Sequence, residues 1–200
     1  MSAGHEVVGP IPEGRDPDGY DRMRRRVLWS MPSGLYVVGT RAAGRRNLMT
    51  ISWVTQVAMS PKLVGIGVES GAATHELLVE GGVFALSLIP RSQRALVRRF
   101  AKPVSESLVD DATGVGEMQG QSVFSASTGA PILDLAVSWL DCEVRHALAL
   151  GSHTWFVGEV VDCGEAAGAP SGDPGSGDPG SGGTDAGVLR MEDTRMNYGG

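Results

Sequence analysis

Three observations predict a mainly β protein, an antiparallel barrel decorated by a few short helices. Short apolar runs follow one another with Gly, Pro or Arg between them, the length and punctuation of buried strands. Two longer segments are joined only by Gly151 and Ser152, a connection that suits a tight hairpin. Helical spacing is confined to three short stretches and does not alternate with the strands, so a doubly wound parallel sheet is disfavoured.

Residues 1–19 hold glycines and prolines without periodicity and read as a tail, or as an arm lying on a partner subunit. Tyr20 to Trp29 sets Tyr20, Met23 and Val27 at helical spacing, with Arg22, Arg24, Arg25 and Arg26 mostly on the other side. Strands are expected at Leu35–Thr40, Asn47–Thr55, Lys62–Glu69 and Val83–Ile89. Between the last two, Thr74 to Glu80 reads as a short helix with Thr74 as N-cap and Glu76 in its first turn. Arg91 to Phe100 reads as a third helix, stopped before Pro103. The hairpin comprises Val137–Leu150 and His153–Cys163, and a last strand is expected at Val188–Glu192. From 168 to 183 the chain reads GAPSGDPGSGDPGSGG, a tandem SGDPG with nothing to pack, hence a flexible linker. The expected organisation is a tail (1–19), a domain (20–167), a linker (168–183) and a C-terminal strand and tail (184–200) that completes the barrel.

Composition narrows the function. Gly (29) and Pro (11) together fill a fifth of the 200 positions, against a usual share of about 12%. Much of that excess sits in the tail and linker, and what remains is a domain of ordinary composition. The net charge of −6 disfavours general nucleic-acid binding. Only two cysteines, Cys142 and Cys163, argue against a disulfide framework and fit a reducing cytosol. Nothing reads as a signal peptide or a membrane span, so a cytoplasmic protein with no membrane partner is expected. Lysine occurs only at positions 62 and 102, the arginine-heavy usage of a GC-rich genome.

No autonomous catalytic kit is visible: neither a G-x-S-x-G elbow nor a phosphate loop is present. Gly65-Ile66-Gly67 continues to Ser70 rather than to a third glycine and lacks a βαβ setting. Cys142 and His146 fall on one side of a strand but about 13 Å apart at about 3.3 Å per residue, so no metal site is expected. Such a chain either binds without catalysis or leaves the hard chemistry to a cofactor. Alternation along Asn47–Thr55 puts Thr50 and Ser52 on one face with Leu48 and Val54, and Met49, Ile51 and Trp53 on the other. Gly65 and Gly67 bare one face of the next strand, as a packing device or as room for a flat ligand. Ser70, Gly71 and Thr74 then lead into a helix N-terminus, where amides and dipole favour an anion. Together these are parts that could hold a planar ring with a phosphate tail.

The run NLMTISWVTQVAMSPKLVGIGVESGAATHELLVEGGVFALSLI, with its T-x-S-W strand, P-x-L-V strand and Thr-started helix, resembles the flavin reductase-like FMN-binding family. The block GAPILDLAVSWLDCEVRHALALGSHTWFVGEVVDCG is similar to the family's G-x-P-x-L … L-x-C … G-D-H-T-x-F-x-G-E-V segment. The resemblance covers about Trp29 to Gly164 and the final strand. It implies a split antiparallel β-barrel, a homodimer with FMN in a cleft near the interface, and NADH or NADPH as hydride donor, with FAD as a possible substrate flavin. On this resemblance Thr50, Ile51, Ser52 and Trp53 line the isoalloxazine ring. Glu69, Ser70 and Thr74 meet the ribityl and phosphate groups, and Lys102 reaches the cofactor. His153 matches the histidine beside flavin and nicotinamide, the residue assigned to catalysis by orienting the donor. The family's aspartate before it is Ser152 here, which removes a carboxylate partner of the imidazole. The implied reaction is hydride transfer from nicotinamide C4 to flavin N5, followed by release of the flavin or electron transfer to a monooxygenase or redox protein. A flavoredoxin-like carrier, a deazaflavin-binding relative and a non-enzymatic barrel are the alternatives.

Overall fold

The computed structural model describes residues 9–165 and 187–194; the 168–183 linker and the outermost parts of both termini lie outside them. Helix α1 (Pro17–Trp29) starts three residues ahead of the expected Tyr20. The Asp16 side chain caps it by accepting from the Gly19 amide at 2.7 Å, and Pro17 opens it where its missing N–H costs nothing. Capping chemistry, not apolar spacing, sets this boundary.

Eleven strands follow among the described residues: β1 (Tyr36–Ala42), β2 (Arg45–Ile51), β3 (Val54–Ala58), β4 (Leu63–Glu69), β5 (Val83–Leu88), β6 (Ser107–Val109), β7 (Gly116–Met118), β8 (Gln121–Ser125), β9 (Pro131–Leu133), β10 (Ser138–Leu150) and β11 (His153–Glu165). Helix α2 (Ala73–Gly81) links β4 to β5. Seven strands form one antiparallel sheet in the order β2-β1-β5-β10-β11-β4-β3; β6 to β9 form a second. Strands β2 and β3 are neighbours in sequence but occupy opposite edges of the larger sheet, so the sheet curls until its edges meet at Ser52 and Trp53. The edges are not paired there. The result is the expected split barrel, with an open seam.

Alternation decides what each face buries. Val64, Ile66 and Val68 of β4 point into the barrel, where they pack with Val38, Phe84, Leu86, Cys142 and Phe156. A second apolar core, including Leu35, Leu48, Val97, Phe100 and Leu133, fills the space between the barrel wall and the segment after β5. Gly151 takes φ +62° at the first central position of the β10–β11 turn, the conformation a two-residue hairpin with glycine there requires.

Several sequence expectations are corrected. The strand expected over Asn47–Thr55 is two strands, because the chain turns at Ser52, whose carbonyl accepts from the Val54 amide at 3.0 Å. The helix expected over Arg91–Phe100 is two 3₁₀ turns, Arg91–Gln93 and Leu96–Arg98; burial of Leu96, Val97 and Phe100 in the second core overrides the arginine periodicity. The last strand is reduced to isolated bridges of Val188 to Pro90 and Arg190 to Gly34, and Met191–Asp193 then turns away. The pairing of β10 with β11 shifts between Val144 and His146, which sends His146 to the outer face while Cys142 stays inside. Strands β6 to β9 had no counterpart in the sequence reading, since most of them are only three residues long.

Burial, and then the neighbouring Asp141 carboxylate, push the Cys142 thiol up to about 12, so this cysteine is an inert core residue. Asp141 is itself raised above the usual carboxylate range by burial, against hydrogen bonds from the Thr128 amide and hydroxyl.

Candidate functional site

The seam of the barrel collects the most chemistry. At its corner the amides of Ser52 and Trp53 donate to no described acceptor, while Trp53's carbonyl accepts from the Gly67 amide at 2.9 Å. Trp53 is 42% exposed, unusual for an indole, and its ring lies 4.5 Å from the His153 imidazole at a 39° tilt. His153 pairs across the sheet with Glu69, and the Ser70 amide donates to the Ser152 carbonyl at 2.9 Å. Ser52, Trp53, Glu69, Ser70 and His153 therefore gather around one end of β4.

Of the two parts open to the glycine pair of β4, packing device or room for a flat ligand, the structure shows packing. Gly65 and Gly67 lie on the outer face, and indoles of the protein itself cover them: a Cβ on Gly65 would overlap the Trp155 ring, and one on Gly67 would stand 3.0 Å from Trp53 Cε3 and 3.3 Å from Trp155 Cε3. The flat groups these glycines admit are Trp155 and Trp53. Gly65→Val is accordingly expected to destabilise the fold by about 1–3 kcal/mol. The gain in strand propensity, about 1 kcal/mol at most, cannot offset the displaced indole. A urea midpoint equal to wild type, with unchanged near-UV dichroism, would refute this.

Thr50 and Ile51 are turned away from the seam. The Thr50 hydroxyl donates to the Val97 carbonyl at 2.6 Å and its amide to the Phe100 carbonyl at 3.0 Å, so the expected polar patch of Thr50 with Ser52 is not formed. Ile51 belongs to the barrel core. These two hydrogen bonds hold the 97–100 segment that leads to Lys102.

Helix α2 is not capped by Thr74. The N-cap position is Ala72, and no side chain caps it, which leaves first-turn amides without partners inside the helix. Thr74 lies within the helix, fully buried, and its hydroxyl accepts from Asn47 Nδ2 at 2.8 Å. Asn47 Oδ1 in turn accepts from the Val104 amide at 2.9 Å. This side chain, which the sequence reading passed over, ties β2 to α2 and to the loop carrying the exposed Lys102. Between loop and helix lies a cleft of about 770 Å³, lined by Ser70, Gly71, His75 and Pro103 among others. A Cβ on Gly71 would meet nothing within 4 Å, so a ligand can approach the backbone there.

His153 keeps a partner despite the missing carboxylate. Ser152 Oγ lies 2.9 Å from Nδ1, and Nε2 has no hydrogen bond among the described residues. A second histidine missed in the sequence, His75, sits in the first turn of α2 with Nε2 2.8 Å from Thr154 Oγ1 and its ring edge-on to Phe156 at 5.4 Å. The Thr-His dipeptide at a helix start was the available signal. Unsatisfied amides at a corner, an exposed indole against a half-buried imidazole, and an uncapped helix N-terminus beside a cleft are suited to a flat, hydrogen-bonding ring with an anionic tail.

Comparison with known proteins gives this arrangement a lineage. Residues 27–175 match the model of the flavin reductase like domain. The chain belongs to that family. An NADH-dependent FAD reductase of Streptomyces globisporus is 33% identical over 156 residues, spanning 78% of this chain and 81% of the relative. An NADH-dependent flavin reductase of Pseudomonas fluorescens is 32% identical over 141 residues, 70% of this chain and 76% of the relative. The solved NADH:FAD oxidoreductase of S. globisporus C-1027 superimposes with a TM-score of 0.60 at 30% identity, covering 78% of this chain and 89% of that one. In this flavin reductase-like chain, the sequence block that carries the resemblance builds the seam and hairpin just described.

Proposed function

We propose that the protein is a flavin reductase that oxidises NADH or NADPH and reduces a bound or diffusible flavin. The observation that carries this reading is the exposed Trp53 packed against the half-buried His153 at the open seam, next to unsatisfied amides and the uncapped start of α2. When bound, the flavin supplies the chemistry, accepting hydride at N5 from nicotinamide C4. The chain's own work is positioning. The Ser52 and Trp53 amides are aimed to stabilise negative charge gathering on the ring edge, and the α2 amides with Lys102 hold the phosphate. His153 Nε2 is the donor or acceptor available to a nicotinamide carboxamide, and Trp53 walls the ring. Glu69 and the Ser70 hydroxyl flank the ribityl chain.

The same reading includes a second copy of the chain. Leu148 and Leu150 pair across the hairpin with Trp155 and His153 and are 58% and 55% exposed, so an apolar outer face adjoins the site and invites cover by a homodimer partner. Two free cysteines suit a reducing cytoplasm, and among the described residues no helix is long and apolar enough to cross a membrane. A monooxygenase is the proposed consumer of the reduced flavin, as the class of enzyme that needs it delivered. Anaerobic stopped-flow mixing of flavin-loaded protein with NADH, and separately NADPH, tests the reading. Bleaching of the flavin band near 450 nm within seconds (roughly 1 s⁻¹ or faster, the ordinary enzyme range) is expected with at least one donor. Flavin that binds but resists both donors would mark an electron carrier instead.

A further inference from the structure

The two ends of the barrel are finished differently. Helix α2 closes one, where Leu78 joins the core with Val68 and Phe84. At the other lies a cavity of about 430 Å³, within the ~300–1,000 Å³ of small-molecule sites, which favour the mouths of β-barrels. Its walls are Val54, Val64, Leu86, Leu140 and Val160, one from each of β3, β4, β5, β10 and β11. Its rim is polar. The alternation that turns Val64 inward sets Lys62, two residues earlier, on the inward side at the mouth. The Lys62 carbonyl fixes that point of the rim by accepting from the Val160 amide at 2.9 Å. Lys62 is the one charged side chain lining the cavity, and its ammonium has no ion pair or hydrogen bond among the described residues. Of the other polar groups there, Gln56 spends its Nε2 on the Ala58 carbonyl at 3.1 Å, and Tyr36 stays a neutral phenol because burial raises it above its ordinary value. Leu63 at the mouth and Glu69 at the seam end β4 about 20 Å apart at about 3.3 Å per residue. The mouth is therefore at the far end of β4 from His153 and the start of α2.

We propose that the barrel mouth binds a small apolar carboxylate, with its chain or ring inside the barrel and its carboxylate on Lys62. Charge and wall chemistry choose this occupant. The apolar walls reward burial of a chain or ring. Lysine, a compact charge on a flexible four-carbon stem, reaches an oxyanion at the rim while its ammonium stays in water. A cation would face Lys62 with no carboxylate to receive it, and a polyanion would find no second cation lining the cavity. A neutral apolar molecule would gain the walls and leave the ammonium unpaired. This site is independent of the flavin reductase reading and stands or falls without it.

Isothermal titration calorimetry of the full-length chain, with and without FMN, tests this with octanoate and its uncharged counterpart 1-octanol. Octanoate is expected to bind with a Kd of about 1 mM or tighter. It should bind about fivefold more tightly than octanol, the contribution of an exposed ion pair. Lys62→Met should remove that preference, weakening octanoate about fivefold and moving octanol less than twofold. Val160→Phe fills the mouth and should abolish binding of both; Lys62→Met, an exposed change, decides the matter if that variant fails to fold. Equal affinity of the wild type for the two probes, no binding of octanoate, or an unchanged octanoate Kd in Lys62→Met overturns the site. So does an octanoate Kd that rises as FMN is added, which would place the acid in the flavin cleft. Failure of the wild type to bind FMN overturns the reductase reading and leaves this site standing.

Discussion

Replacing Asn47 by Leu is expected to lower stability by about 2–4 kcal/mol and to weaken flavin binding at the same time. The substitution keeps shape and removes both hydrogen-bonding ends of a buried side chain. The Val104 amide loses its acceptor and the Thr74 hydroxyl loses its donor. Each stranded buried group costs about 1–3 kcal/mol. The Thr74 hydroxyl can recover part of its loss by turning back onto a helix carbonyl, which keeps the sum below the maximum. Asn47→Asp separates the two ends, since the carboxylate still accepts from Val104 while the donor to Thr74 is gone; an intermediate loss is expected. Urea denaturation gives the stability and fluorescence quenching the flavin affinity. A change in stability under about 0.5 kcal/mol in Asn47→Leu would mean that the pin does not hold the cleft together.

Asn47 also shows where the sequence stopped being readable. Alternation assigned residues to strands correctly, because burial of Val64, Ile66, Val68, Phe84 and Phe156 on one face is what the period of two encodes. It failed at Ser52 and Trp53, where a two-residue corner resets the period, and that corner is the candidate site itself. Hydroxyls drew attention as ligand contacts because Thr and Ser commonly serve that way. Thr50 and Thr74 are instead consumed by Val97 and Asn47, partners far along the chain that no local pattern reveals. The same holds for Gly65 and Gly67: the bare face was legible, but its occupants, Trp155 from the paired strand and Trp53 from the corner, depend on the sheet order β11-β4-β3. His153 was placed beside the seam by its motif alone, and the tertiary structure then supplied the indole it leans on and the hydroxyl at its Nδ1.

His153→Ala is expected to reduce kcat/KM for the nicotinamide donor by about 10–100-fold, the equivalent of about 1.5–3 kcal/mol for a hydrogen bond to a group that gains charge. Flavin affinity should fall by less than about fivefold, because among the described residues the imidazole meets the proposed ring-binding wall through its tilted packing on Trp53, worth about 1 kcal/mol. The split between these two numbers carries the argument: a residue that merely props the indole would move both together. Ser152→Ala refines it. With the hydroxyl gone, Nδ1 loses its 2.9 Å partner and the ring is free to turn, so a loss of about 2–10-fold in kcat/KM is expected, with flavin affinity unchanged. Ser152→Asp restores a carboxylate at this position, a stronger acceptor for Nδ1–H, and should match or exceed wild type if orientation of Nε2 is what the neighbour provides. Steady-state assays with NADH varied at saturating flavin distinguish the outcomes. If Ser152→Ala were as damaging as His153→Ala, the imidazole would owe its whole effect to the orientation that Ser152 Oγ gives it, because the backbone carbonyl that accepts from the Ser70 amide is unchanged in the alanine variant.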